Sequence, residues 1–234
     1  MPPSIRHPRF VRITHWLTTL AFFALLLSGV EILLSHPRFY WGETGNVNMT
    51  PLFTIPVPSS RSTVPTGYGW GLPDENGWSR YLHFQAAWLV LFTAAVYLLA
   101  GLWTGHFRRH LVPASTDRSW RALTRSVVGH LRFDRSALGD ATSYNALQRL
   151  SYLVVIFGLF PLIVWTGLAM APAFTAVFPA TVNLLGGRQS ARTLHFAATI
   201  ALVLFTLVHV VMVAIAGFRG RMRGMIVGTT EVHE

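Results

Sequence analysis

The sequence predicts an all-α integral membrane protein: a four-helix transmembrane bundle with both termini on the cytoplasmic side. Three observations carry this. Apolar residues make up 52% of the 234 residues and charged residues only 12%, about half of the roughly 25% usual in a soluble domain. Four stretches, 14–35, 81–103, 150–171 and 194–218, each come near the twenty or so residues a helix needs to cross a hydrocarbon core of roughly 30 Å. All nineteen basic residues are Arg, and with the N-terminus inside, fourteen of them fall on the cytoplasmic side and five opposite, the bias expected of inward-facing loops. Mean hydropathy is +0.44. An ordinary cytoplasmic domain, a disordered chain and a nucleic-acid binder are excluded, because so little charge cannot keep a soluble surface dispersed.

The elements follow in order. The first span (THWLTTLAFFALLLSGVEILLS) is flanked by Arg6, Arg9 and Arg12. It is too long for a signal-peptide core and no small-residue cleavage site follows it, so it is retained. Residues 36–78 form a periplasmic loop whose Pro, Gly, Ser and Thr (TPLFTIPVPSSRSTVPTGYGWG) make it too polar for lipid and too Pro-rich for a regular helix. A loop of that length covers the membrane end or docks a partner. Its Trp41, Tyr68, Trp70 and Trp78 suit the second role. The cytoplasmic loop 104–148 places Trp120, Leu123, Val127 and Leu131 among Arg118, Arg121, Arg125 and Arg132. That spacing makes an amphipathic helix able to lie on an anionic leaflet. No internal repeat is visible, and residues 1–234 read as one membrane domain.

There is no cysteine, so disulfides, iron–sulfur clusters and thioether-attached haem are excluded. Imidazole is left as the plausible metal ligand. Of ten histidines, four lie in the spans: His15, His83, His195 and His209. A titratable side chain in lipid is expensive and marks a functional site by default. His195 and His209 share the last helix fourteen residues apart, which is near four full turns and about 21 Å of rise. They face the same way at two depths. His83 starts the second span at the depth of His195, and His15 starts the first at the depth of His209, so two level pairs result. Facing imidazoles from neighbouring helices suit a six-coordinate b-type haem. Zinc would want four ligands per site.

The spacing Arg-x-x-His occurs three times, at Arg12–His15, Arg80–His83 and Arg192–His195. It puts both side chains on one helix face, with the Arg one turn outward to pair with haem propionates. Ser28-Gly29 and Thr166-Gly167 offer close backbone approach to a flat macrocycle. Glu31 snorkels at the outer end of its helix. His106 and His110, beyond the second span, receive no assigned role.

His15-Trp16 with Ser28-Gly29, YNALQRLSY (144–152) with TGLAM (166–170), and RxxHF (192–196) with His209 fourteen residues after His195 resemble the di-haem membrane cytochrome b subunits of bacterial nickel–iron hydrogenases and respiratory formate dehydrogenases, the bacterial cytochrome b561 superfamily. The resemblance covers all four spans and leaves the two long loops outside it. It implies ligands from the first, second and fourth helices, with His83 and His195 on the periplasmic haem and His15 and His209 on the cytoplasmic one. It also implies a quinone site near the cytoplasmic haem, carried here by Tyr144 and Asn145, to which proximity adds Gln148.

The expected protein is therefore a di-haem b-type cytochrome of the bacterial inner membrane. It transfers electrons, in either direction, between a periplasmic redox protein or catalytic subunit and the quinone pool. A stand-alone cytochrome serving a small oxidant or reductant stays open within redox chemistry. A haem-free membrane anchor or transporter, its histidines bonding between helices, is the alternative from another class.

Overall fold

The computed structural model describes residues 7–46, 48–56, 76–111, 124, 146–215 and 217–228. Four helices there are long and apolar enough to cross a membrane: Arg9–Ser35, Trp78–Trp103, Arg149–Met170 and Arg188–Ile215. Among the described residues the strands are Arg38–Phe39 (β1) and Phe53–Thr54 (β2), paired antiparallel with Phe39 opposite Phe53. The fold class is all-α. Leu20, Phe23, Leu27, Phe92, Leu99 and Leu204 stand exposed on the spans. Exposed apolar area costs about 25 cal/mol per Å² in water, whereas lipid tails receive it freely. The chain is a multi-pass membrane protein, consistent with the bacterial inner membrane.

Each helix starts earlier than the apolar pattern suggested. Helix α1 (Arg9–Ser35) and helix α2 (Asn76–Trp103) begin within polar, Arg-bearing turns, because Arg side chains reach the interface while their stems cover apolar surface. The third span is composite. Helix α3 (Ala146–Val154) passes through one π-turn, Val155–Leu159, into helix α4 (Phe160–Met170). Phe160 N–H bonds to Val155 O, five residues back. Pro161, next in sequence, lacks an N–H and its ring crowds the carbonyl four residues before it, and a wider turn relieves both. Two short helices follow, α5 (Pro172–Val177) and α6 (Ala180–Asn183), then the long α7 (Arg188–Ile215) and α8 (Phe218–Ile226). Gly217, at φ +100°, separates α7 from α8. That left-handed break ends the last span three residues short of the expected 218.

The chain divides into two compact units. The first comprises Met1–Trp16, Ala94–Phe160 and Ala201–Glu234, and the second Leu17–Thr93 and Pro161–Ile200. In the first unit α8 is tied to the start of α1. Arg12 Nη1 donates to Ile226 O (2.7 Å) and Trp16 Nε1 to Met225 O (3.0 Å). Phe10, Tyr97, His106 and Phe107 form an aromatic cluster in the same unit, so His106 is a packed interior residue.

In the second unit the described part of the 36–78 loop is an ordered clasp on the N-terminus of α7. A helix start leaves four N–H groups without intrahelical partners. Here Gly42 O accepts Gln189 N–H and Ser190 N–H (3.0 and 3.2 Å), and Glu43 Oε2 accepts Arg188 N–H (3.0 Å). Gly42 N–H donates back to Ser190 Oγ (2.7 Å), and Thr193 Oγ1 donates to Tyr40 O (2.8 Å). Phe39, 2% exposed, stacks on Phe53 with ring centres 4.6 Å apart and packs on Phe196 at 4.7 Å. The capping explains why α7 starts at Arg188, six residues before the expected 194. The last three residues of that loop, with Trp78, belong to α2, and residues 57–75, with Tyr68 and Trp70, lie outside the described residues. So does the 118–132 segment read as an amphipathic helix, except Thr124.

Candidate cofactor site

His83 on α2 and His195 on α7 face each other in the second unit, ring centres 6.3 Å apart and planes inclined by 58°. His15 on α1 and His209 on α7 do the same in the first unit, at 6.4 Å and 54°. The two pairings reached from depth along the helices are thus also the two ring-to-ring pairs. A metal–imidazole bond is about 2 Å long, so two imidazoles bound on opposite sides of one metal ion bring their ring centres to about 6 Å. Both separations fit that span.

The donor set narrows the metal. Among the described residues no three of His, Cys, Asp and Glu are close enough to hold an ion together. Each pair suits a metal that brings its remaining ligands with it, as iron in a porphyrin does.

The second unit fixes its imidazoles from behind. Ser28 Oγ on α1 donates to Ala24 O (2.7 Å) and lies 3.0 Å from His83 Nδ1. Thr166 Oγ1 on α4 donates to Leu162 O (2.8 Å) and lies 3.0 Å from His195 Nδ1. With each hydroxyl proton committed to the carbonyl four residues back, its oxygen accepts Nδ1–H. That assigns the tautomer and leaves both Nε2 lone pairs free for a metal. Ser28 and Thr166 are both fully buried. A Cβ on Gly29 would sit 3.5 Å from His83 Cε1, and one on Gly167 the same distance from His195 Cε1. Each Ser/Thr-Gly pair therefore backs a histidine ring.

In the first unit aromatic rings do the holding. Phe205 stacks on His209 (5.8 Å, 17°), Tyr152 meets it edge-on (6.2 Å), and Trp16 meets His15 edge-on (5.2 Å). An open groove of about 300 Å³ runs beside them, lined by Leu150, Ser151, Val154, Val155, Leu159 and Phe205.

The arginines differ in placement. Arg80 is exposed on α2. The Arg192 guanidinium lies over the Phe39 ring (4.6 Å) and donates to His36 O. Burial, with Arg192 beside it, holds the His36 imidazole below its ordinary pKa. Arg12 reaches the Ile226 carbonyl at the end of α8. Tyr144 and Asn145 lie outside the described residues, as does the Gln148 side chain, although its backbone sits in the first turn of α3. Sequence reasoning passed over Ser28 and Thr166 as ligand supports, and Tyr152 as a ring against His209.

A family model described as prokaryotic cytochrome b561 matches residues 6–228. A relative from Azospira oryzae, named as a proposed protein-methionine-sulfoxide reductase subunit YedZ1, is 33% identical over 209 residues, which cover 89% of this chain and 90% of the relative. No solved structure matches. With the histidine pairs and the four spans, the match over nearly the whole length settles the assignment: the chain belongs to the prokaryotic cytochrome b561 family, membrane proteins that transfer electrons on haem b.

Proposed function

We propose that this chain carries electrons between a periplasmic redox partner and the membrane quinone pool on two haems b, one held by His83 and His195 and the other by His15 and His209. The observation that carries the reading is the pair of ring separations, 6.3 and 6.4 Å, one in each compact unit. Haem supplies reversible one-electron chemistry when bound. Ser28 and Thr166 orient two of the four ligands, and Phe205, Tyr152 and Trp16 pack around the other two. The arginine bias puts the His83–His195 pair on the periplasmic side and both termini inside. Arg80 and Arg192, each three residues before a histidine of that pair, are the arginines proposed to meet its propionates.

The name of the Azospira oryzae relative suggests the kind of partner, a catalytic reductase subunit acting on methionine sulfoxide. With such a partner, electrons run outward from quinol. The groove lined by Ser151, Val154 and Phe205 supports a quinone site near His209, since an apolar trough open to lipid suits an isoprenoid tail. Tyr144, Asn145 and Gln148 precede that groove in sequence and are proposed to bind the quinone head.

A short-chain quinol added to the oxidised protein in lipid vesicles is expected to reduce the haem. Val154→Trp, which fills the groove, is expected to slow reduction about tenfold, equivalent to about 1.4 kcal/mol, with haem content unchanged. A wild type that quinol does not reduce would overturn the quinone assignment and favour a cytochrome serving a small redox molecule. Reduction of Val154→Trp at the wild-type rate would remove the groove from the site.

The two hydroxyls have their own signature. An imidazole whose Nδ1–H is given to an acceptor is the more basic ligand and favours ferric iron. Ser28→Ala and Thr166→Val are therefore each expected to retain two haems and raise the midpoint potential of one, with the other unmoved. Unchanged potentials in both would mean that the nearby Leu25 and Ile163 carbonyls hold the rings unaided.

A further inference from the structure

Three arginines of the first unit are in an unusual condition. The Nε atoms of Arg12, Arg221 and Arg223 are buried, and none has a hydrogen-bond partner among the described residues. An unsatisfied buried N–H is costly, and more so on a charged group. The unit offers them no anion of its own among the described residues. Glu31 and Glu43 are the only described carboxylates, and both belong to the second unit. The acidic residues of the first unit (Asp117, Asp134, Asp140, Glu231 and Glu234) fall outside the described residues.

The location points to what is missing. Arg221 lies near enough to act electrostatically on Tyr152, whose ring meets His209 at 6.2 Å. Arg12 is one helical turn before His15 and is pinned through Nη1 to the last turn of α8. Trp16, against His15, is pinned to the same turn through Met225 O. Helix α8 is thus fastened at the end of α1 that carries His15, and it brings Arg221 and Arg223 with it. A guanidinium presents its donors as a planar fork that matches a carboxylate.

We infer that Arg12, Arg221 and Arg223 form a carboxylate clamp for the propionates of the haem held by His15 and His209. This rests on the two-haem reading above and extends it to residues of α8 that had counted only as topology signals. Arg219, on the same helix but exposed, lies outside the clamp. The clamp neutralises the propionate charge and keeps both carboxylates ionised.

The test is redox titration of the purified full-length protein across about pH 6 to 8 in Arg221→Gln, Arg223→Gln and the control Arg219→Gln. Removing a positive charge beside the porphyrin favours ferric iron, so the potential of one haem falls in the first two variants. A propionate without its guanidinium takes up a proton nearer neutrality, and more readily when the iron is reduced. That potential therefore also becomes pH-dependent, rising as pH falls. The other haem does not move, and Arg219→Gln matches wild type.

If a Gln variant does not accumulate, Arg221→Lys keeps the charge and loses the fork. Its redox-difference infrared spectrum is then expected to show shifted propionate carboxylate bands, and unshifted bands would overturn the clamp. Two variants that load both haems with wild-type potentials and pH dependence would also overturn it. So would a loss of thermal stability alone, which would make the anion an aspartate or glutamate of the chain. Retained phospholipid phosphate falling while the haem is unchanged would make it a lipid headgroup. A wild type lacking haem at His15 and His209 would instead retire the two-haem reading itself.

Discussion

His209→Ala is expected to lose one haem and keep the other, and so are His15→Ala, His83→Ala and His195→Ala. A ligand imidazole would be half of the protein's hold on the iron, and its partner lies 6.3 or 6.4 Å across; among the described residues no third His, Cys, Asp or Glu joins either pair in a group that could hold a metal ion. The reduced b-type absorbance should therefore fall by about half in each single variant, each ligand removing one haem of two. Variants within a pair should lose the same haem, identifiable by its potential. His83→Ala with His195→Ala should retain one haem, whereas His83→Ala with His209→Ala should retain none. Pyridine haemochrome analysis of each purified variant reads these counts. A double variant within one pair that loses both haems would mean the pairing is wrong.

Gly187→Ala is expected to have the largest effect on stability. Gly187 has φ +116°, and a Cβ there would lie 2.5 Å from Glu43 N and from Gly42 C and O. These are backbone atoms that cannot step aside. The substitution adds left-handed strain of about 1–2 kcal/mol and breaks clasp hydrogen bonds, each contributing about 1 kcal/mol. A cost of about 3 kcal/mol or more follows. Gly42 makes the internal comparison: its φ is +103°, but nothing lies within 4 Å of its Cβ position, so Gly42→Ala should cost the strain alone. Thermal melts followed by haem absorbance should show the His83–His195 haem released earlier in Gly187→Ala than in Gly42→Ala. Equal melts would mean that the clasp does not support α7.

The parts legible in the sequence are those that depend on local pattern. Four apolar runs mark four spans by length alone. The fourteen-residue spacing of His195 and His209 places two side chains on one face of one helix without reference to any neighbour. The clasp was legible only as a loop too long to be idle. Its hydrogen bonds join Gly42 to Ser190 across 148 positions, and two-residue strands carry no alternation to read. Ser28 and Thr166 were noticed as small residues, yet a buried helical hydroxyl ordinarily bonds back to its own turn. Theirs do so and also accept from histidines 55 and 29 residues away. Likewise, Arg221 and Arg223 read as inward-facing charge, because nothing local shows that α8 folds back on α1.

The most direct measurement is the haem content of the purified protein, from its reduced-minus-oxidised spectrum and a pyridine haemochrome assay. Two haems b per chain is the expected result, one for each histidine pair. A folded protein with no haem would contradict the electron-transfer function, and a single haem would leave one pair without its cofactor.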